Sequence, residues 1–182
     1  MENLAILVPL KGFELAKSRL RHGGVDRVDD VARSLALDVL RAAKPRPLFV
    51  ACETPDVEAF ALECGARVIR SPASGLNEVV THAYRLLGEH YQHLVIAHGD
   101  LREPDGLGAF DPLQGVTVVT DDAGSGTNVL ALPTRVDFEF HYGPHSASAH
   151  QREARRRGLE LHVISDSPWR FDVDEPEDLD VT

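Results

Sequence analysis

The sequence predicts an α/β fold: a single three-layer domain with a mostly parallel sheet that becomes partly mixed in its later part. In the first half of the chain, short apolar runs bounded by turn residues alternate with segments of helical periodicity, which is typical of a parallel sheet covered by helices. In the second half the strand-like runs are more closely spaced, which indicates a mixed sheet there. With 182 residues and no linker-like or repetitive segment, we expect one domain over residues 1–182.

Four strands and three helices are predicted in the first half. The predicted strands are residues 4–8, 48–52, 67–69 and 93–97. The first helix follows the break at Gly24 and carries its apolar residues on one face. The second starts after Thr54, a favourable N-cap residue, with Pro55 in its first turn, and ends before Gly65. The third, residues 76–87, again has apolar residues at helical spacing.

Five further strands and one helix are predicted in the second half. The predicted strands are residues 116–120, 127–132, 138–140, 161–164 and 171–173. Residues 146–157 form a charged segment that ends at Gly158, a typical helix stop, so we expect a helix there. In sheets of this class ligands bind at the carboxyl ends of the strands. The residues that follow each strand are therefore the first candidates for a functional site.

The composition narrows the class of function. The formal net charge of −10 argues against general affinity for nucleic acid or acidic membranes, because proteins that track phosphates usually need a basic surface. The start of the chain carries Glu2 and only a short apolar run, unlike a signal peptide, and no apolar stretch reaches membrane-spanning length. Cys52 and Cys64 match no zinc-binding spacing. We therefore expect a cytoplasmic protein with reduced thiols.

Basic residues cluster directly after the first predicted strand. The cluster consists of Lys11, Lys17, Arg19 and Arg21. Cations in an acidic protein are usually spread over the solvent-exposed surface. Their concentration at a strand exit therefore indicates an anionic ligand.

Three aspartates also lie at the ends of predicted strands. Asp100 follows the fourth strand, and Asp172 and Asp174 lie two residues apart at the last one. Side chains at positions i and i+2 of a strand point to the same face, so these two carboxylates can converge on one cation. Carboxylate oxygen is a ligand that Mg²⁺ prefers, with substrate phosphate completing the shell. The alternative is an acidic, solvated helix start, where Asp and Glu interact favourably with the helix dipole.

Two loops are candidates for anion binding. The first, DDAGSGTNVL, offers glycine N–H groups and the hydroxyls of Ser125 and Thr127 to a phosphate or carboxylate, although an ordinary hairpin turn explains the same residues. The second, HYGPHSASAH, places Ser146 at a predicted helix N-terminus, which favours anions; simple N-capping is the alternative. The histidines of the second loop form no paired zinc motif, and no G-x-S-x-G motif marks a serine nucleophile.

Six segments occur together in an order that indicates a family. They are VPLKGFELAKSRL, GLNEVV, GDL, GTNVLAL, YGPHS and FDVDEPEDL. In these segments the chain resembles the CofC/FbiD family, the guanylyltransferases that activate a small phosphorylated acid in the biosynthesis of the deazaflavin cofactor F420. The resemblance covers nearly the whole chain and implies a Rossmann-like nucleotidyltransferase domain of GT-A-like fold.

The resemblance also implies a role for each cluster of residues. Asp100, Asp172 and Asp174 would hold Mg²⁺ and, with Lys17, form the catalytic set. The phosphorylated acid would contact Thr127, Gly143 and Ser146. The nucleotide would contact Lys11, Lys17, Arg19, Gly75 and Asn77.

The implied reaction is transfer of GMP from GTP to the phosphate of a small phosphorylated acid, with release of pyrophosphate. The resemblance favours phosphoenolpyruvate, with 2-phospho-L-lactate and 3-phospho-D-glycerate as alternatives, and it allows for a downstream transferase as a protein partner. Arg102, His145 and Ala149 depart from the family pattern on the acid-binding side. Two other functions therefore stay open: a nucleotidyltransferase for another phosphorylated substrate, and a GTP-binding homologue without catalysis.

Overall fold

The computed structural model describes residues 2–15, 17–174 and 176–179. Within these residues one sheet contains the strands β1 (Glu2–Leu10), β2 (Leu48–Cys52), β3 (Arg67–Arg70), β4 (Tyr91–Ala97), β5 (Val116–Thr120), β6 (Thr127–Pro133) and β7 (Leu161–Ile164). Their order across the sheet is β3-β2-β1-β4-β6-β5-β7. Strand β6 runs antiparallel to both of its neighbours, whereas the other neighbouring strands are parallel. The predicted mostly parallel, partly mixed sheet is confirmed.

Helices cover both faces of this sheet. They are α1 (Ser18–His22), α2 (Val28–Ala42), α3 (Pro55–Glu63), α4 (Leu76–Leu87) and α5 (Ser146–Arg156). Apolar residues of α2 and α3 form one core with one face of the sheet, and those of α4 and α5 form a second core with the other face. Ile6 of β1 belongs to the first core and Leu7 to the second. Because both faces are buried, the central strands are apolar at nearly every position.

The strand predicted at residues 138–140 is wrong. Phe138 and Phe140 are both buried, but the segment that carries them forms no ladder with a neighbouring strand. Their rings instead pack against the α4 and α5 layer: Phe140 lies edge-on to Tyr84 at 5.2 Å, and Phe138 lies 6.1 Å from the ring of His150. The alternating aromatic residues fill the core from an irregular segment. A half-buried strand shows the same alternation in sequence, so the pattern alone does not distinguish the two.

The strand predicted at residues 171–173 is reduced to a single bridge. Asp172 pairs with Leu101 in an isolated antiparallel bridge. Two further backbone hydrogen bonds join the same segments, from Arg102 N–H to Phe171 O (2.8 Å) and from Val173 N–H to Asp100 O (3.2 Å). The segment is therefore held against the loop that follows β4, although it is too short to count as a strand.

The direction of β6 brings distant parts of the chain to one edge of the sheet. The parallel strands β1 and β4 end at this edge, and Ala97 at the end of β4 pairs with Val129 in β6. Because β6 is antiparallel to β4, its first residue, Thr127, lies at the same edge at which β1 and β4 end. None of the helices in the described part of the chain has both the length and the apolar character needed to cross a membrane.

Candidate active site

A cavity of about 680 Å³ opens at this edge of the sheet. Its walls come from the loops after β1 and β4, the β5–β6 hairpin, the start of α5 and the segment near Asp172. The sequence-predicted residues that line it are Lys11, Lys17, Asp100, Asp172, Asp174, Thr127, Gly143 and Ser146. The structure thus brings most of the predicted site residues to one place.

The three aspartates form a compact cluster. Asp100, Asp172 and Asp174 each offer one carboxylate oxygen, and these oxygens all lie within 4.8 Å of one another. The backbone bonds that hold the segment of Asp172 against the loop after β4 explain why residues so far apart in sequence converge. The pKa of Asp172 is raised by burial and by the charges of Asp100 and Asp174, so these two neighbours disfavour its ionised form.

The donor set of this cluster fits a hard divalent cation. One carboxylate oxygen of Asp100, Oδ1, is buried and has no hydrogen-bond partner among the described residues. Burial alone would raise the pKa of Asp100, but the charges of Lys17 and His98 outweigh it and lower that pKa, which keeps the carboxylate ionised. Closely spaced anionic oxygens, one of them unpartnered, are suitable ligands for Mg²⁺.

Lys17 lies directly against the carboxylate cluster. Its ammonium forms an ion pair with Asp100 and lies 3.0 Å from Asp174 Oδ1, and its side chain is only 7% exposed. Burial disfavours the charged ammonium, but the two carboxylates outweigh this and raise the pKa of Lys17. The backbone of Lys17 has a positive φ of 55°, which is uncommon for a residue with a side chain. The short helix α1 begins at the next residue.

Lys11 and Arg21, the other basic residues of the opening loop whose side chains are described, have surroundings that differ from those of Lys17. Lys11 lines the cavity and is exposed. Arg21 donates to the carbonyl of Phe13 (2.9 Å) and forms an ion pair with Asp29, so it braces the loop against α2. The side chain of Arg19 lies outside the described part of the structure.

The loop between β5 and β6 is a hairpin in which two N–H groups form hydrogen bonds within the loop. Gly124 N–H donates to Asp121 O (3.0 Å), and Ser125 N–H donates to Asp121 Oδ1 (2.7 Å). The N–H groups of Gly124 and Ser125 are therefore not open anion donors, as the hairpin alternative predicts for Gly124. The carbonyl of Ser125 accepts from Ala147 N–H (3.0 Å), which joins the hairpin to the first turn of α5.

The three residues predicted to hold the acid lie close to this junction. Ser146 is the first residue of α5, and its N–H donates to Gly143 O (3.1 Å). Ser146 is not the N-cap: that position is occupied by His145, which has a positive φ of 61° and makes no side-chain cap. The Thr127 hydroxyl lies 3.0 Å from Nδ1 of His150.

The two residues predicted beside the guanosine do not line the cavity in the described structure. Both ends of the Asn77 side-chain amide are used by the backbone of Tyr142: Nδ2 donates to its carbonyl (3.0 Å), and Oδ1 accepts from its N–H (2.6 Å). Asn77 therefore fixes the segment that leads into Gly143. Gly75 precedes α4 with a φ of 100°, and a Cβ there would lie 2.7 Å from Glu78 Oε2.

Among the family departures noted in the sequence, only His145 lines the cavity in the described structure. The guanidinium of Arg102 instead lies 5.0 Å from the centre of the Phe171 ring, a cation–π contact, and it also lies 3.6 Å from the carboxylate of Glu103. Arg102 therefore helps to hold the segment of Asp172 from outside the site.

Two residues with clear positions in the site were missed by the sequence argument. Asn128 donates from Nδ2 to Trp169 O (3.1 Å), to Arg170 O (3.0 Å) and to Asp172 Oδ1 (3.3 Å), so it orients one carboxylate of the cluster. His150 contacts Thr127 from inside α5. For Asn128 the available signal was a polar side chain inside an apolar strand pattern, because buried polar groups are almost always hydrogen-bonded. The charged segment around His150 offered no such signal.

Comparison with known proteins identifies the family. The profile of the family described as "Guanylyl transferase CofC like" matches residues 4–181. The chain belongs to the CofC-like guanylyl transferase family. The resemblance carried by the six sequence segments is thereby confirmed.

Named relatives of this CofC-like chain agree with the assignment. It is 35% identical over 188 residues to the phosphoenolpyruvate guanylyltransferase of Rubrobacter xylanophilus, covering 95% of this chain and 90% of the relative. It is 30% identical to the 3-phospho-D-glycerate guanylyltransferase of Phenylobacterium zucineum, covering 94% and 86% of the two chains. A nucleotidyl transferase from Methanothermobacter thermautotroptrophicus has the same fold, with a TM-score of 0.69 at 15% identity over 98% of this chain and 95% of that one.

Proposed function

We propose that this protein transfers GMP from GTP to the phosphate of a small phosphorylated acid and releases pyrophosphate. The observation that carries the proposal is one cavity lined by two different groups of residues. The carboxylate cluster with Lys17 suits a metal-bound triphosphate. Thr127 and the start of α5 suit a smaller anion. The family and the names of its relatives support this division.

The reaction needs little proton transfer. A phosphate monoester has a second pKa of about 6, so near neutral pH its oxygen is already an anionic nucleophile. This oxygen would attack the α-phosphorus of GTP, forming a new P–O bond while the bond to the β-phosphate oxygen breaks and pyrophosphate leaves. The main barrier is the approach of two highly negative molecules in line.

The residues of the cavity supply what this barrier requires. Asp100, Asp172 and Asp174 would hold Mg²⁺, which when bound would neutralise charge on the phosphates and on the leaving pyrophosphate. Lys17 and Lys11 place positive charge on the nucleotide side of the cavity. Thr127 and Ser146 lie where hydroxyl and helix N-terminal groups would orient the acid.

We further propose which phosphorylated acid is the substrate. Phosphoenolpyruvate is favoured because several relatives, including that of Rubrobacter xylanophilus, are named for it, although one is named for 3-phospho-D-glycerate. 2-Phospho-L-lactate is the remaining alternative. We place the reaction in coenzyme F420 biosynthesis, in the cytoplasm, with a downstream transferase that takes up the product.

Pyrophosphate release tests the proposal directly. The purified protein would be mixed with GTP, Mg²⁺ and each of the three acids in turn, with ATP and CTP in place of GTP as controls. Release that requires one acid and GTP supports the proposal and names the substrate. Binding of GTP without release in the presence of any acid would instead favour the non-catalytic alternative. Release with a different phosphorylated compound would favour another acceptor.

A further inference from the structure

His150 is a fully buried histidine with a partner on each ring nitrogen. It lies inside α5 with 0% exposure. Its Nε2 accepts a hydrogen bond from the backbone N–H of His141 at 3.0 Å, and its Nδ1 lies 3.0 Å from the hydroxyl oxygen of Thr127. Among the described residues, His150 is the hydrogen-bond partner of that hydroxyl.

These contacts determine where the imidazole proton lies. An amide N–H can only donate, so Nε2 must present a lone pair and carry no proton. The ring is also neutral, because burial, followed by the charges of His141 and His98, lowers the pKa of His150 to about 3. A neutral imidazole has one N–H, which must therefore be on Nδ1. It follows that Nδ1 donates to the Thr127 oxygen.

This assignment fixes what the Thr127 hydroxyl can do. A hydroxyl has one proton to donate and two lone pairs. Because one lone pair of Thr127 receives the His150 proton, its own O–H is directed away from the ring. Thr127 is the first residue of β6 and lines the cavity, so the hydroxyl proton is available to a bound anion.

We propose that His150 is a positioning residue of the acid site, which holds the Thr127 hydroxyl as a hydrogen-bond donor to an anionic oxygen of the phosphorylated acid. The inference rests on the proposed function, because it assigns that acid to the side of the cavity formed by Thr127. An anionic oxygen only accepts hydrogen bonds, and a hydroxyl that is free to rotate would present a lone pair to it part of the time. The donor from His150 removes this unfavourable orientation.

Two substitutions of His150 by amide side chains distinguish the roles of its two ring nitrogens. In His150→Asn the side-chain NH₂ can replace Nδ1–H, whereas in His150→Gln the amide oxygen can replace Nε2 and the donor to Thr127 is lost. We expect His150→Gln to raise the KM for the acid about tenfold or more, which is the effect of one hydrogen bond to a charged group. His150→Asn should stay within about threefold of the wild type. The KM for GTP should be unchanged in both variants. Equal effects of the two variants, or a parallel loss for GTP, would overturn the inference.

Substitutions of Thr127 provide a second test of the proposal. Thr127→Val should raise the acid KM about as much as His150→Gln, and combining the two should add little, because both remove the same donor. Thr127→Ser keeps the hydroxyl and should raise the acid KM less than Thr127→Val. Thr117→Val is the matched control, since Thr117 is an equally buried threonine of the neighbouring strand that does not line the cavity. Additive effects of Thr127→Val and His150→Gln would contradict the coupling. The Thr127 variants also test the proposal if the His150 variants fail to fold.

Nitrogen NMR of the imidazole gives a readout that does not depend on turnover. In the wild-type protein we expect His150 to carry its proton on Nδ1, and a proton on Nε2 would overturn the assignment. A wild-type protein inactive with all three acids would contradict the proposed function, and the tautomer would then decide the hydrogen-bond assignment alone. An active wild type with an unchanged acid KM in His150→Gln would contradict the positioning role and leave the proposed function intact.

Discussion

The ammonium of Lys17 lies 3.0 Å from Oδ1 of Asp174, although 157 positions separate the two residues in the sequence. The same ammonium pairs with Asp100, so one buried cation bridges two of the three clustered carboxylates. Lys17 was predicted to face the nucleotide phosphates. Its position shows that it also supports the cluster that would hold the metal, and these two roles can be separated by experiment.

Replacing Lys17 by Ala should affect both stability and nucleotide use. Without a divalent cation, the carboxylates of Asp100 and Asp174 would lose the ammonium that pairs with them, and we expect the free energy of unfolding to fall by roughly 1 to 3 kcal/mol. Added Mg²⁺ should stabilise this variant more than the wild type. The KM for GTP should also rise. Thermal unfolding with EDTA and with Mg²⁺, together with GTP titrations of the rate, would measure these effects.

Lys44 provides the control for this substitution. The chain has only three lysines, and Lys44 is exposed and does not line the cavity. Lys44→Ala should leave stability, the Mg²⁺ effect and the KM for GTP unchanged. An unchanged nucleotide dependence in Lys17→Ala would remove Lys17 from the nucleotide site. Equal stabilisation of Lys17→Ala and the wild type by Mg²⁺ would separate Lys17 from the metal cluster.

Asp172→Asn should abolish turnover without harming the fold. The substitution removes one predicted metal ligand, and we expect kcat to fall by at least roughly 100-fold. It also relieves the repulsion among clustered carboxylates, and the amide oxygen can still accept from Asn128. The unfolding temperature in EDTA should therefore be equal to or higher than that of the wild type. Asp111→Asn, at a side chain that is 86% exposed, is the control. Near wild-type turnover of Asp172→Asn would contradict the metal assignment.

Asp121 is predicted to set the geometry of the acid side through the hairpin. Its carboxylate accepts from Ser125 N–H, and the carbonyl of Ser125 is bonded to the first turn of α5. Asp121→Ala should raise the acid KM by roughly threefold to tenfold, whereas Asp121→Asn, which keeps the acceptor, should have a smaller effect. The neighbouring Asp122 pairs with Arg170 at 2.8 Å, and Asp122→Ala should leave the KM unchanged. Equal effects of the two alanine variants would refute this role.

Glu153 should give the protein an acid-sensitive component of stability. Burial would raise the pKa of this carboxyl, but hydrogen bonds from Arg156, Arg157 and the backbone of Glu139 outweigh it and lower the pKa from 4.5 to about 2. A lowered carboxyl pKa contributes stability that is fully present above pH 4.5 and is lost as the pH falls towards 2.

The corresponding variant is Glu153→Gln. It should be less stable than the wild type at pH 7 by about 1 to 3 kcal/mol, because an amide cannot satisfy the same donors, and the difference should shrink between pH 4.5 and pH 2. Denaturant unfolding across this range measures the effect. Glu63→Gln, at an exposed position of another helix, is the control variant. A difference that is constant with pH would contradict the account of Glu153.

The sequence predicted most of the sheet because burial of both faces leaves a strong local pattern. Strands β2, β5 and β7 and helix α4 have the predicted bounds. The strand exits also located Asp100 and Lys17, since ligands gather at this edge in α/β sheets. The general rule that ligands bind at the carboxyl ends of strands was sufficient to predict that these residues belong to the site.

The remaining parts of the site depend on contacts between residues far apart in the chain. Asn77 was predicted beside the guanosine, yet its amide is taken up by Tyr142, 65 positions away. Nothing in the local pattern of α4 reports that partner. His150 likewise lies in a segment with the pattern of a charged helix, and its proposed role depends on Thr127, which lies in strand β6. The Phe138 segment shows the same limit for the fold, because aromatic side chains fill a core without forming a strand.

Transfer of the α-phosphate label is the measurement that tests the central claim most directly. GTP labelled at the α-phosphate would be incubated with Mg²⁺ and each of the three acids, and the products of the wild type, Asp172→Asn and Asp111→Asn would be separated. We predict that the wild type and Asp111→Asn move the label into an adduct with one acid and that Asp172→Asn does not. Label that remains in GTP, or is released only as free nucleotide, with every acid would contradict guanylyl transfer by this site.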